Sequence, residues 1–206
     1  MPSIWAHANY PIPQKKQTNQ GYNGRQLLEL FQNCEDEGAS KVKILLNTEK
    51  QLLEISNDGN KTFSVKGYDS IFYPGLSSKV SSGYIGNKGL GFRSIINWAD
   101  KISIISNDFQ VVFDASLKKN ILLDKIGYTE IELDEIRKER KLNADVYPLP
   151  LLNCCKIEDV NINTEYTTTI SIKYKPEYED RIKAQLKSIS EKTLLFLQNI
   201  NTIEID

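Results

Sequence analysis

Leu27, Leu30, Phe31 and Cys34 recur at i, i+3, i+4 and i+7, which sets one apolar stripe along a helix predicted over Arg25–Glu37. Gly38 follows at the position where a left-handed residue ends a helix. The periodicity then changes. Lys41–Asn47 and Gln51–Ser56 are rich in Val, Ile and Leu and predict a hairpin; Asn57-Asp58-Gly59-Asn60 predicts the turn that ends it. Residues 64–73 read as weakly helical and 74–93 as a long loop. Lys101–Ser106 and Phe109–Asp114 predict a second hairpin about Asn107-Asp108. Short extended pieces are expected at 120–124 and 128–133, and a helix start followed by a loop insertion over 134–166. Thr168–Tyr174 alternates like a half-buried strand. Glu177–Leu197 is helical in pattern behind Pro176, and Thr202–Asp206 reads as a last strand.

Strands joined as hairpins, with helices set between them, predict an α+β two-layer sandwich: a mixed, mostly antiparallel sheet with helices on one face. Residues 1–24, with Pro2, Pro11, Pro13, Gly21 and Gly24, read as an irregular arm. Residues 25–206 read as one domain, expected to be the N-terminal part of a longer protein.

Composition removes several function classes. The net charge of −1 over 206 residues disfavours a general nucleic-acid clamp. No apolar run reaches membrane-spanning length, and the first residues lack a signal-peptide layout. Three cysteines, two of them adjacent, suit neither a disulfide framework nor a zinc site, so a reducing, cytoplasmic setting is expected. His7 is the single histidine and lies in the arm, which makes a histidine-based triad improbable.

Two constellations carry chemistry. The stretch Gly86-Asn87-Lys88-Gly89-Leu90-Gly91-Phe92 interleaves glycines with a cation, which suits a phosphate cradle of backbone N–H groups. It fits neither the Walker loop nor the dinucleotide fingerprint, and a flexible turn has the same composition. On the first helix, Glu29, Asn33 and Asp36 share a second face. Such a face is ordinarily a solvated one. An asparagine oxygen can also hold Mg²⁺ beside phosphates, with a carboxylate one turn earlier to activate water.

Residues 28–40, Leu-Glu-Leu-Phe-Gln-Asn-Cys-Glu-Asp-Glu-Gly-Ala-Ser, resemble the asparagine-box helix of the GHKL ATPases, whose shared architecture is the Bergerat ATP-binding fold. Tyr22–Leu27, residues 83–106 and Leu194–Ile200 resemble the sacsin-like branch, relatives of the ATP-binding domain of the 90-kDa heat-shock chaperone. The resemblance covers about residues 20–206, broken by a divergent 115–165. It implies ATP and Mg²⁺ as ligands, Glu29 as general base, Asn33 as metal ligand and Asp36 as a supporting acid. It implies phosphate contacts from Gly86–Phe92 and a lid over 75–85 that includes Ser77, Ser78 and Lys79, with Thr168 near the adenine. The base-reading aspartate of the family precedes its glycine by two residues. Here that slot holds Asn57, whereas Asp58 adjoins Gly59, so Asp58 is the first choice and Asn57 the alternate.

The resemblance implies slow, Mg²⁺-dependent ATP hydrolysis that acts as a conformational switch, with a homodimer through the arm and lid or further domains completing the site. Chaperone-like remodelling and bacterial antiviral defence are both compatible with it. The alternative is a nucleotide-binding module without turnover that controls a protein interface. A nucleic-acid-directed ATPase subunit is a third reading, disfavoured by the charge.

Overall fold

The computed structural model of the chain describes residues 24–62, 92, 95–106, 109–160, 165–195 and 197–206. Helix α1 (Gln26–Asp36) buries Leu27, Leu30, Phe31 and Cys34, the stripe set by its periodicity. It ends in a Schellman motif. Gly38 has φ +76, its N–H donates to the Glu35 carbonyl at 2.9 Å, and the Ala39 N–H donates to the Cys34 carbonyl at 3.0 Å.

Seven strands form one sheet among the described residues, in the order β5-β4-β3-β6-β2-β1-β7. They are β1 (Lys41–Asn47), β2 (Leu52–Asn57), β3 (Ala99–Ser106), β4 (Phe109–Asp114), β5 (Cys155–Asp159), β6 (Thr168–Tyr174) and β7 (Thr202–Ile205). Every pairing is antiparallel except β1 with β7, which is parallel. This is the expected mixed, mostly antiparallel sheet of an α+β fold. Both hairpins form, with boundaries within two residues of those read from the sequence.

Register places side chains in rows across the sheet. One row runs Leu46, Leu53, Ile172, Ile102, Phe113, and the next runs Ile44, Ile55, Ile170, Ile104, Val111. These rows pack against α1 and against Ile182 and Leu186 of α4 (Glu179–Ser188) in a single apolar core. The opposite face is hydroxylic and charged: Ser56 and Thr169 bond at 2.9 Å, and Ser171 donates to Glu54 at 2.7 Å. Alternation at period 2 sets the two faces, and toward β3 and β4 the second face also buries Ser103 and Val112.

Residues 115–160 depart from expectation. The pieces expected to be extended at 120–124 and 128–133 are helical or irregular: α2 spans 115–126, and α3 (Glu130–Glu139) follows Gly127. Thr129 and Glu132 close a capping box at the start of α3, a Thr-x-x-Glu signal present in the sequence. Ile121, Leu122, Leu133, Leu149 and Cys154 make a second small core, and burial there favours helix over the strand that a short Ile-Leu-Leu run suggests. The expected loop insertion over 134–166 contains edge strand β5. The last helix is interrupted: Ile189 turns extended (ψ 125), and only a short helix α5 (Glu191–Leu194) resumes. The weakly helical 64–73 lies outside the described residues, as does 74–91 of the long loop.

Candidate functional site

The third row of the sheet breaks the apolar pattern. After Val42 it continues as Asn57, Thr168 and Ser106 on β2, β6 and β3, on the face that packs against the helices. All three polar residues are buried. Ser106 Oγ and Thr168 Oγ1 lie 2.8 Å apart. A buried hydroxyl pair satisfies itself while leaving lone pairs for a further donor. The sheet therefore presents an apolar core that turns polar at one end, beside the turn that follows β2.

That turn is held against α1. A Cβ added to Gly59 would lie 2.8 Å from Asn57 Oδ1, 2.9 Å from the Glu37 carbonyl oxygen and 3.2 Å from Glu37 Cβ. Only glycine fits so close an approach. The Gly59 N–H donates to Asn57 Oδ1 at 2.9 Å, an Asx turn that fixes the Asn57 amide. Lys61 Nζ donates to the Asp36 carbonyl at 2.8 Å and ties the same segment to the last turn of α1.

Asp58 is used differently from its neighbour. Its Oδ1 accepts the N–H groups of Ser40 and Lys41, each at 2.8 Å, and Oδ2 accepts the Ser40 hydroxyl at 2.6 Å. Burial pushes the carboxyl upward, but the Ser40 hydroxyl and the two backbone N–H groups outweigh it and hold the pKa below the usual 3.8. Asp58 thus clamps the entry to β1. Of the two residues considered for reading the base, Asn57 stands in the buried row with Thr168, and Asp58 does not.

On α1, Glu29 and Asn33 are half-buried and Asp36 is buried, so their face is not the solvated one an amphipathic helix usually presents. All three interact with other groups of the protein. The helix that carries them is anchored at both ends. Near its start, Gln185 of α4 accepts the Leu27 N–H at 3.1 Å and donates to Gln26 Oε1 at 2.7 Å, supplying the cap that Arg25 lacks. Near its end, the Glu35 carboxylate accepts three successive backbone N–H groups, from Gln198 (2.9 Å), Asn199 (2.6 Å) and Ile200 (3.0 Å). Neither Glu35 nor Gln185 carries a local signal of its role in the sequence, because the partners of each lie far along the chain. Glu35 stands beside three candidate residues and reads as one more solvated acid.

Ser77, Ser78, Lys79, Gly86, Asn87, Lys88, Gly89, Leu90 and Gly91 lie outside the described residues. Phe92 is described and its side chain is buried in the main core. Among the described residues no three His, Cys, Asp or Glu side chains gather as a metal site, and no helix is long and apolar enough to cross a membrane.

Residues 16–206 match the family model of the Sacsin domain, nearly the whole chain. The chain belongs to the Sacsin domain family. No curated protein gives a significant match. The match runs through α1, the polar row and β7, so the elements that build this site in the Sacsin domain lie within the family's span.

Proposed function

We propose that this Sacsin domain binds Mg²⁺-ATP in the manner of the GHKL ATPases, hydrolyses it slowly and uses the bound nucleotide as a conformational switch. The observation that carries the reading is the close packing of Gly59 on Glu37, which sets the Asn57–Thr168–Ser106 row beside the helix of Glu29, Asn33 and Asp36. A buried polar end on an otherwise apolar core suits a flat heteroaromatic base with a few polar edges. The donor set fits the rest of the ligand: an asparagine amide oxygen is a hard ligand of the kind Mg²⁺ accepts when phosphates and waters complete its shell.

In this reading Asn57 and Thr168 face the base, Asn33 holds the metal ion and Asp36 supports it. Glu29, one turn before Asn33, takes a proton from the attacking water. Mg²⁺, when bound, neutralises phosphate charge. The anchors of Gln185 and Glu35 keep α1 in one position, so that Glu29 and Asn33 meet the ligand with little reorganisation. The coupling of α1 to β7 through Glu35 gives the nucleotide state a path to the C-terminal strand.

The test is calorimetric titration of the folded domain with ATP and Mg²⁺, coupled to phosphate release. Binding with slow release, and a Glu29→Ala variant that binds but releases nothing, supports the ATPase. Equal background release from both proteins points to a binding module without turnover. No binding at millimolar nucleotide overturns the proposal.

A further inference from the structure

We infer that strand β5 is a self-association edge, and that two copies of this chain join antiparallel about Ile157 to make one continuous sheet. β5 is the terminal strand of the sheet and pairs with β4 alone among the described residues. All five of its residues are exposed. An open strand edge offers a row of N–H and C=O groups to another strand.

Two features identify that other strand as a second β5. First, the apolar row Ile44, Ile55, Ile170, Ile104, Val111 continues in register to Ile157. Val111 is 4 % exposed and Ile157 72 %, so the row runs out past the cover of the helices and ends on an unshielded isoleucine. A two-fold axis through Ile157 sets it against Ile157 of the other copy, on the helix side of both sheets.

Second, the charges complement themselves in that register and not in its neighbours. With Ile157 central, Lys156 of each copy stands opposite Glu158 of the other, two attractive pairs. Sliding the axis to Lys156 or to Glu158 sets like charges directly against each other. Axes between residues would oppose a helix-side residue to an outer-side one. Within one copy Lys156 and Glu158 already bond at 2.6 Å, about half exposed, so dimerisation extends a pair into a four-charge cluster without burying a lone ion. Nothing in this inference depends on nucleotide.

The test is sedimentation of the full chain at rising concentration. The parent should form dimers at high micromolar concentration. Lys156→Glu and Glu158→Lys should each weaken self-association about tenfold or more, since each turns two attractive pairs into repulsive ones. Mixed together, these two variants should form a heterodimer, because every cross-pair is again attractive; a merely damaged fold could not recover in this way. Ile157→Lys should be monomeric. A parent that stays monomeric, or a dimer unchanged in Lys156→Glu and Ile157→Lys, overturns the inference.

Discussion

Ser106 and Thr168 share a hydroxyl–hydroxyl hydrogen bond of 2.8 Å across β3 and β6, both side chains buried where the apolar rows of the sheet end. A core that closes with polar side chains must satisfy them internally or through a ligand. With Asn57 in the same row, the pair makes the polar end of the core a place where a ligand's edges can be read.

Thr168→Val keeps the shape and removes the hydroxyl, so the buried Ser106–Thr168 hydrogen bond is lost. Stability should fall by about 0.5–1.5 kcal/mol, measured by urea unfolding, as expected for the loss of one buried hydrogen bond. Nucleotide affinity should fall as well if Thr168 touches the base.

Gly59→Ala should destabilise the fold by about 1–3 kcal/mol, the usual cost of overpacking. The new methyl meets Asn57 Oδ1 and the Glu37 carbonyl oxygen at under 3 Å; the carbonyl is backbone and the Asn57 amide is fixed by its Asx turn. Thermal unfolding checks the loss. Chemical-shift changes should concentrate at Asn57 and the C-terminal turn of α1.

Glu35→Gln should cost about 1.5–3 kcal/mol, because the acceptor of three backbone N–H groups loses its charge. Hydrogen exchange should quicken at Gln198, Asn199 and Ile200 more than in the central strands. Uniform acceleration across the sheet would contradict a local anchor.

Asp58 carries a pH dependence. Its folded pKa lies below the ordinary 3.8, so its contribution is present above that value and is lost as the pH falls through the lower folded value. Acid titration of stability should be steeper in the parent than in Asp58→Asn from just under pH 4 downward. Parallel curves would show that the Ser40 and Lys41 contacts do not stabilise the ionised form.

Much of the fold was legible because its signals are local. The α1 stripe, the Gly38 stop, the β1–β2 and β3–β4 hairpins and the alternation of Thr168–Tyr174 depend on spacing that a reader can count. The same spacing put Glu29, Asn33 and Asp36 on one face. Residues 115–160 misled, because Ile121 and Leu122 are apolar in either conformation and only their packing on Leu133 and Leu149 selects the helix. β5 was missed for a related reason: Cys-Lys-Ile-Glu-Asp has little burial to advertise it, and its pairing with β4 supplies the strand.

The sequence by itself determined the α+β class, the strand faces and the helix that carries the candidate base and metal ligand, since periodicity and turn chemistry act over a few residues. Tertiary structure decided which neighbour of Gly59 enters the buried row. Asn57 and Asp58 are adjacent and chemically alike, but Asn57 closes β2 in the buried row while Asp58 lies just past the strand, where Ser40 and Lys41, remote in sequence, take the carboxylate. It also made Glu35 an anchor, because the N–H groups it accepts come from the far end of the chain. Local pattern cannot specify a partner more than a hundred residues away; the closing of the sheet around β1 and β7 does.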